Sequence, residues 1–237
     1  MVIHTYKEIL SLGECALEAL GEDTDRLRSF TSAHNNINDL STLRCLVGNR
    51  PEIEMFDKAI VEYQRSLSSV STGHYRQANS SLRLFAELAL SAVLFSANEI
   101  HLRLWFSGRK DINWNSIVCL KHGVFSKEFI NVFFTDLSEF GRQYQAIATS
   151  FYRECSEFVH GNLKTYDCDH KIAFNPDLFD DWYARTESVN LIVKFAYLLR
   201  YTMFAEQEVL NKIEPIALED FPMVPALQAQ FGRPHDE

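Results

Sequence analysis

Apolar positions along the chain recur at steps of three and four, the period of a helix that buries one face. On that pattern we predict helices at about residues 5 to 20, 25 to 46, 51 to 72, 74 to 106, 126 to 139, 142 to 160 and 180 to 212. Gly21, Gly48, Gly73, Gly108, Gly123, Gly141 and Gly161 close or separate these segments, as glycine does beyond a helix C-terminus. The third segment opens with Pro51, Glu52 and Glu54, which suit a first turn, and carries Ile53, Phe56, Ile60, Tyr63 and Leu67 on one face. The fourth bears Leu82, Phe85, Leu88, Ala89, Val93 and Ile100 and is apolar around much of its middle. It is expected to run through the centre of a bundle.

Only 9 Gly and 6 Pro occur in 237 residues, so the body of the chain is poor in helix breakers. We therefore expect an all-α fold, an up-and-down helical bundle with additional N-terminal helices. Residues 1–50 would form a helical extension packed on the core, 51–212 the bundle, and 213–237 a Pro-containing tail. In that tail the prolines should stop a helix, leaving the chain to wrap over the surface or fray. Two long connections, at about 107 to 125 and 162 to 179, exceed what compact helical domains usually need. No internal repeat is visible.

Hydrophobic residues at 46% and aromatics at 13% belong to a packed protein rather than a disordered one. A net charge of -9 argues against a non-specific nucleic-acid coat, while leaving room for a local basic site. Five scattered cysteines without a disulfide-framework spacing, an N-terminus without a signal pattern and interrupted apolar runs point to a cytoplasmic protein. The chain has no Gly-rich phosphate loop and no Gly-x-Ser-x-Gly elbow, so nucleotide hydrolases and serine hydrolases lose their usual support.

The segment 142–160 carries the most telling chemistry. Ile147, Ala148, Phe151, Cys155 and Phe158 share one arc, the buried face. Arg142, Ala146, Thr149, Arg153, Ser156 and His160 form a stripe on the opposite arc, and its small residues let another helix approach closely. Arg153 and His160 are seven residues apart, so they project within roughly 20° of one another and about 10 Å apart along the axis. An imidazole moves protons near neutral pH and a guanidinium forks onto phosphate oxygens. Metal-free RNA cleavage, in which a ribose 2′-hydroxyl attacks its own phosphate, needs both. Arg28 and His34 fit a similar pattern, but six residues turn them about 120° apart.

On Arg153-Glu-Cys-Ser-Glu-Phe-Val-His160, the chain resembles the HEPN superfamily. That superfamily comprises helical-bundle proteins that include many prokaryotic ribonuclease toxins and antiviral defence effectors. The likeness spans about residues 51 to 212. It extends to Arg83 and Glu87 on a preceding hydrophobic helix, and to Gly161 and Asn162 after the histidine. It implies a metal-independent endoribonuclease with Arg153 and His160 catalytic at a composite homodimer site, and no cofactor. Glu154, Ser156, Glu157, Asn162, Arg83, Glu87 and Arg142 would support the site. RNA would be the substrate, and a cognate antitoxin or regulatory protein a partner. Glu154 stands where the family commonly has Asn, Asp or His.

The same residues admit other readings. Arg153 can pair with Glu157 four residues on, Arg83 with Glu87, and a histidine before Gly161 is ordinary at a helix C-terminus. A non-catalytic dimerisation or regulatory module would show the same stripe. Cys155, His160, Cys168 and His170 are zinc-ligand types, yet Cys155 and His160 point to opposite faces and the spacing matches no familiar zinc module, so no metal is expected. Arg109, Lys110, Lys121 and Lys127 could touch RNA backbone or simply solvate the surface.

Overall fold

A computed structural model describes residues 2–160, 163, 165 and 171–231. The chain is all-α, with no strand among the described residues. Helices run α1 Val2–Glu22, α2 Thr24–Val47, α3 Ile53–Ser71, α4 Tyr75–Ser96, α5 Glu99–Phe106, α6 Trp114–Ile117, α7 Lys127–Phe133, α8 Gly141–Val159, α9 Pro176–Tyr201, α10 Gln207–Asp220 and α11 Pro225–Gln230. Local chemistry sets several starts. Asp23, Asn113, Ser126 and Asn175 each accept a backbone N–H three residues on, and Pro176 follows Asn175 at the first helical position.

Side-chain ties give the directions of the central helices. Between α4 and α9, Tyr75 meets Asn175 near the two N-termini, while the Tyr197 hydroxyl donates to Ala89 O at 3.1 Å near the other end, so the two run parallel. Helix α3 is antiparallel to both. Its Ser66 meets Trp182 and its N-terminal neighbour Glu52 meets Tyr201, with Trp182 Nε1 donating to Ser66 Oγ at 2.9 Å. Helix α8 also runs against α4, with Phe158 beside Arg76 and Tyr152 beside Arg83 and Glu87. The second half of α9 is buried on nearly every side, from Val189 to Tyr201 with only Leu191 half-buried. Helix α4 is by length and composition able to cross a membrane, but its apolar surface is largely buried in this core.

The element boundaries differ from the sequence expectation at several places, among them the 126–139 segment, where the helix ends at Phe133 and a 3-10 turn follows at Thr135–Leu137. The 74–106 segment is two helices, broken at Ala97 and Asn98, whose N–H groups bond only three residues back, with Asn98 leaving helical geometry at φ −145°, ψ 83°, and the Ser96 carbonyl freed by the break accepts from Arg50 and Arg200. The 180–212 segment starts earlier, at the Asn175 cap, and turns out of α9 through Thr202–Phe204 before α10 begins. The expectation that the tail prolines stop a helix is overturned. Pro215 lies inside α10, which is held by burial of Leu210, Ile213, Ile216, Ala217 and Leu218, and α11 follows with Leu227 buried. Tertiary burial outweighs the missing N–H. The 107–125 connection is also tied down, with Trp114, Ile117, Val118, Val124 and Phe125 in the core.

Candidate functional site

Helix α8 is continuous to Val159 and His160 caps it, its N–H donating to Ser156 O at 3.0 Å. The helical geometry therefore holds for Arg153 and His160. Cys155, Ala148, Phe151 and Phe158 are buried, and Ile147 is half-buried against the core. On the other side Arg142, Ala146, Thr149, Arg153 and His160 are exposed and Ser156 is half-buried. Ser156 spends its hydroxyl on Tyr152 O at 2.6 Å, so it serves the helix rather than the stripe.

Arg153 makes no ion pair among the described residues, and the pairing with Glu157 open to it is not formed. Glu157 is exposed, and its backbone carbonyl accepts from Thr165 Oγ1 at 3.3 Å. Glu154 turns aside. It accepts from Ser150 Oγ at 2.9 Å and lies 3.5 Å from Arg185 Nε, joining α8 to α9. Asn162 and Gly161 lie outside the described residues, as do Cys168 and His170.

Behind the stripe is a compact polar seam. Arg83 Nε donates to Glu87 Oε1 at 3.2 Å, a second Arg83 nitrogen donates to the Tyr152 hydroxyl, and that hydroxyl donates to Glu87 Oε1 at 2.9 Å. The guanidinium also covers the Tyr152 ring, which stacks on Trp114 at 4.2 Å between centroids. Burial, then the Glu87 carboxylate, push the Tyr152 phenol above its ordinary value. Arg83 and Glu87 thus meet the helix beside Arg153 but reach neither Arg153 nor His160 directly. They hold α8 against α4.

Several residues here were not singled out from sequence. Arg76 donates to Phe158 O near the end of α8, placing a cation where the helix dipole is negative, two residues before His160. Arg185 lies over the Phe158 ring at 5.1 Å and donates to Asn79 Oδ1 at 3.2 Å. Tyr152 and Trp114 complete the seam. Only their positions at the helix ends or among apolar residues could have marked them, because each acts through a partner far away in sequence.

The other site readings divide. Arg28 and His34 sit on α2, both exposed, with Arg28 3.5 Å from Asp25. Arg28 lines a cleft of about 980 Å³ between α2, α9 and α10, and neither Arg153 nor His160 lines it. Among the described residues no three His, Cys, Asp or Glu side chains gather as a metal cage would require. Arg109 bonds the neighbouring Ser107 hydroxyl at 3.0 Å, while Lys121 and Lys127 are exposed. Compared with known proteins, the chain matches no family model, no curated protein and no solved structure.

Proposed function

We propose that the protein is a metal-independent endoribonuclease of toxin or antiviral-defence type, acting at a site shared across a homodimer. The observation that carries this reading is the outer face of α8, where Arg153 and His160, both without an ion pair among the described residues, stand two turns apart beside exposed small residues. That face fits the HEPN-like pattern of Arg, six intervening residues and His. In the proposed reaction His160 removes the proton from a ribose 2′-hydroxyl or delivers one to the departing 5′-oxygen. Arg153 forks onto the nonbridging oxygens as negative charge builds at phosphorus. The 2′-oxygen bonds to phosphorus while the bond to the 5′-oxygen breaks, leaving a cyclic phosphate and a 5′-hydroxyl. A second α8 stripe would line the other wall of the groove.

The test is cleavage of cellular RNA by the purified protein in excess chelator. Wild type should produce cyclic-phosphate ends, and Arg153→Ala or His160→Ala should lower the rate by about 100-fold or more with an unchanged melting temperature. Undiminished cleavage in both variants removes this site.

A second reading is a non-catalytic dimerisation or regulatory module. It is favoured by one observation: no carboxylate or carbonyl orients the His160 ring among the described residues. On that reading the wild-type protein forms dimers and leaves RNA intact.

A further inference from the structure

Helix α1 outruns the body it packs on. Only its C-terminal half is seated: Gly13, Ala16 and Leu20 are buried, and a Cβ at Gly13 would lie 3.4 Å from that of Thr72, just past the end of α3. Residues 2–12 are all exposed, so three turns of helix project beyond the bundle. A projecting helix with nothing to cover should be polar all round. This one keeps an apolar stripe. Ile3, Tyr6, Leu10 and Leu17 recur at steps of three, four and seven, fall within an arc of about 60°, and are between 49% and 70% exposed. Val2 and Ile9 border that arc on the side toward the body. Together these side chains offer on the order of 500 Å² of apolar surface, more than scattered exposed residues account for.

The charges beside the stripe point to its occupant. Lys7 and Glu14 are seven residues apart, lie on the same flank of the stripe and are both exposed. Two copies of α1 related by a two-fold axis across their length run antiparallel, and each presents that same flank to the other. With Tyr6 of one copy against Leu17 of the other, the two Leu10 side chains meet at the centre and Lys7 of each copy comes opposite Glu14 of the other. The sequence is thus complementary to itself in one register, with an ion pair made twice. Two such faces together bury about the 1,000 Å² that a specific interface needs. A lipid surface suits the arm less well, because α1 carries one Lys and no Arg against four Glu and an anionic bilayer repels it.

We propose that α1 is a self-association arm, which pairs antiparallel with α1 of a second copy through Ile3, Tyr6, Leu10 and Leu17 and is held in register by two Lys7–Glu14 pairs. The arm packs on α2 and α3, whereas α8 packs on α4 and α9. This contact therefore stands independently of the α8 stripe and of RNA cleavage.

The experiment is sedimentation of the full-length protein, with Ala146→Trp present throughout so that the α8 face contributes nothing to association. Leu10→Glu should weaken self-association at least about tenfold at an unchanged melting temperature, since Leu10 is exposed in the single chain. Lys7→Glu and Glu14→Lys should each weaken it about threefold or more. An equimolar mixture of those two variants should associate as tightly as the parent, because each mixed pair again sets opposite charges against each other. A monomeric parent, or association untouched by Leu10→Glu, overturns the arm. A mixture no tighter than its two components overturns the antiparallel register. Binding to zwitterionic vesicles that Leu10→Glu abolishes, in a protein that stays monomeric, assigns the arm to a lipid surface instead.

Discussion

Gly73 joins α3 to α4 with φ at +74°, and a Cβ there would lie 2.7 to 2.9 Å from the backbone of Ala173, just ahead of α9. One residue therefore sets how three helices meet. Gly73→Ala combines a left-handed backbone with a clash against main chain, so we expect a loss of roughly 2–4 kcal/mol in urea denaturation. Asp23 is a second such point. Its carboxylate caps α2 and is held below its usual value first by the Arg26 side chain and then by the Arg26 N–H. A lowered folded value means that this stabilisation is full above the ordinary carboxylate range and fades as pH falls through the folded value. Asp23→Ala should therefore lower the melting temperature at neutral pH, and thermal melts of variant and wild type should converge as pH falls through the lowered folded value. A gap that persists in acid would assign the effect to something other than the carboxylate.

Helix α8 owes its position to the seam it shares with α4. Tyr152 accepts from Arg83 and donates to Glu87 through one hydroxyl, and its ring lies between the Arg83 guanidinium and Trp114. Tyr152→Phe leaves both charged partners without that hydroxyl. It should cost about 1–2 kcal/mol of stability, measured by chemical denaturation, while α8 stays helical by circular dichroism. Helix α10 poses the opposite case. Pro215 removes one rung from the middle of the helix, and burial of its neighbours compensates. Pro215→Ala should raise stability by about 1–2 kcal/mol in chemical denaturation, and no gain or a loss would overturn this reading of Pro215.

Across the whole molecule, polar bonds inside the bundle fix how its helices register. Tyr63 Oη donates to Ala33 O at 2.6 Å and accepts from Asn190 Nδ2 at 3.0 Å, joining α2, α3 and α9. Lys194, almost wholly buried, reaches Asp39 at 2.6 Å and Asp220 at 2.7 Å, which adds α10 to the same set. These ties leave the outer stripe of α8 as a free face whose small residues suit a second helix. If two copies meet there, Ala146→Trp should weaken the dimer at least about tenfold in sedimentation experiments without lowering the melting temperature. A dimer unaffected by that change would be built on another surface.

Helix content, the buried and outer faces of α8 and the central place of α4 were all legible in the chain, because each depends on a period of apolar residues within one segment. The short helix Trp114–Ile117 inside the expected 107–125 connection, capped by Asn113, was not read from the chain, because four residues are too few to show a period. The break at Ala97 was not legible either. No glycine or proline marks it, and the Ser96 carbonyl it frees is taken up by Arg50 and Arg200 from elsewhere in the chain. Pro215 inside a helix was hidden too, since local propensity forbids what burial of Ile213 and Ile216 permits. At the candidate site, sequence periodicity alone brought Arg153 and His160 onto one face of α8. Only the folded chain decided that Glu154 turns to Arg185, that Arg83 and Glu87 brace Tyr152, and that Arg153 stands without an ion pair among the described residues, because those outcomes depend on which distant side chains arrive beside the helix.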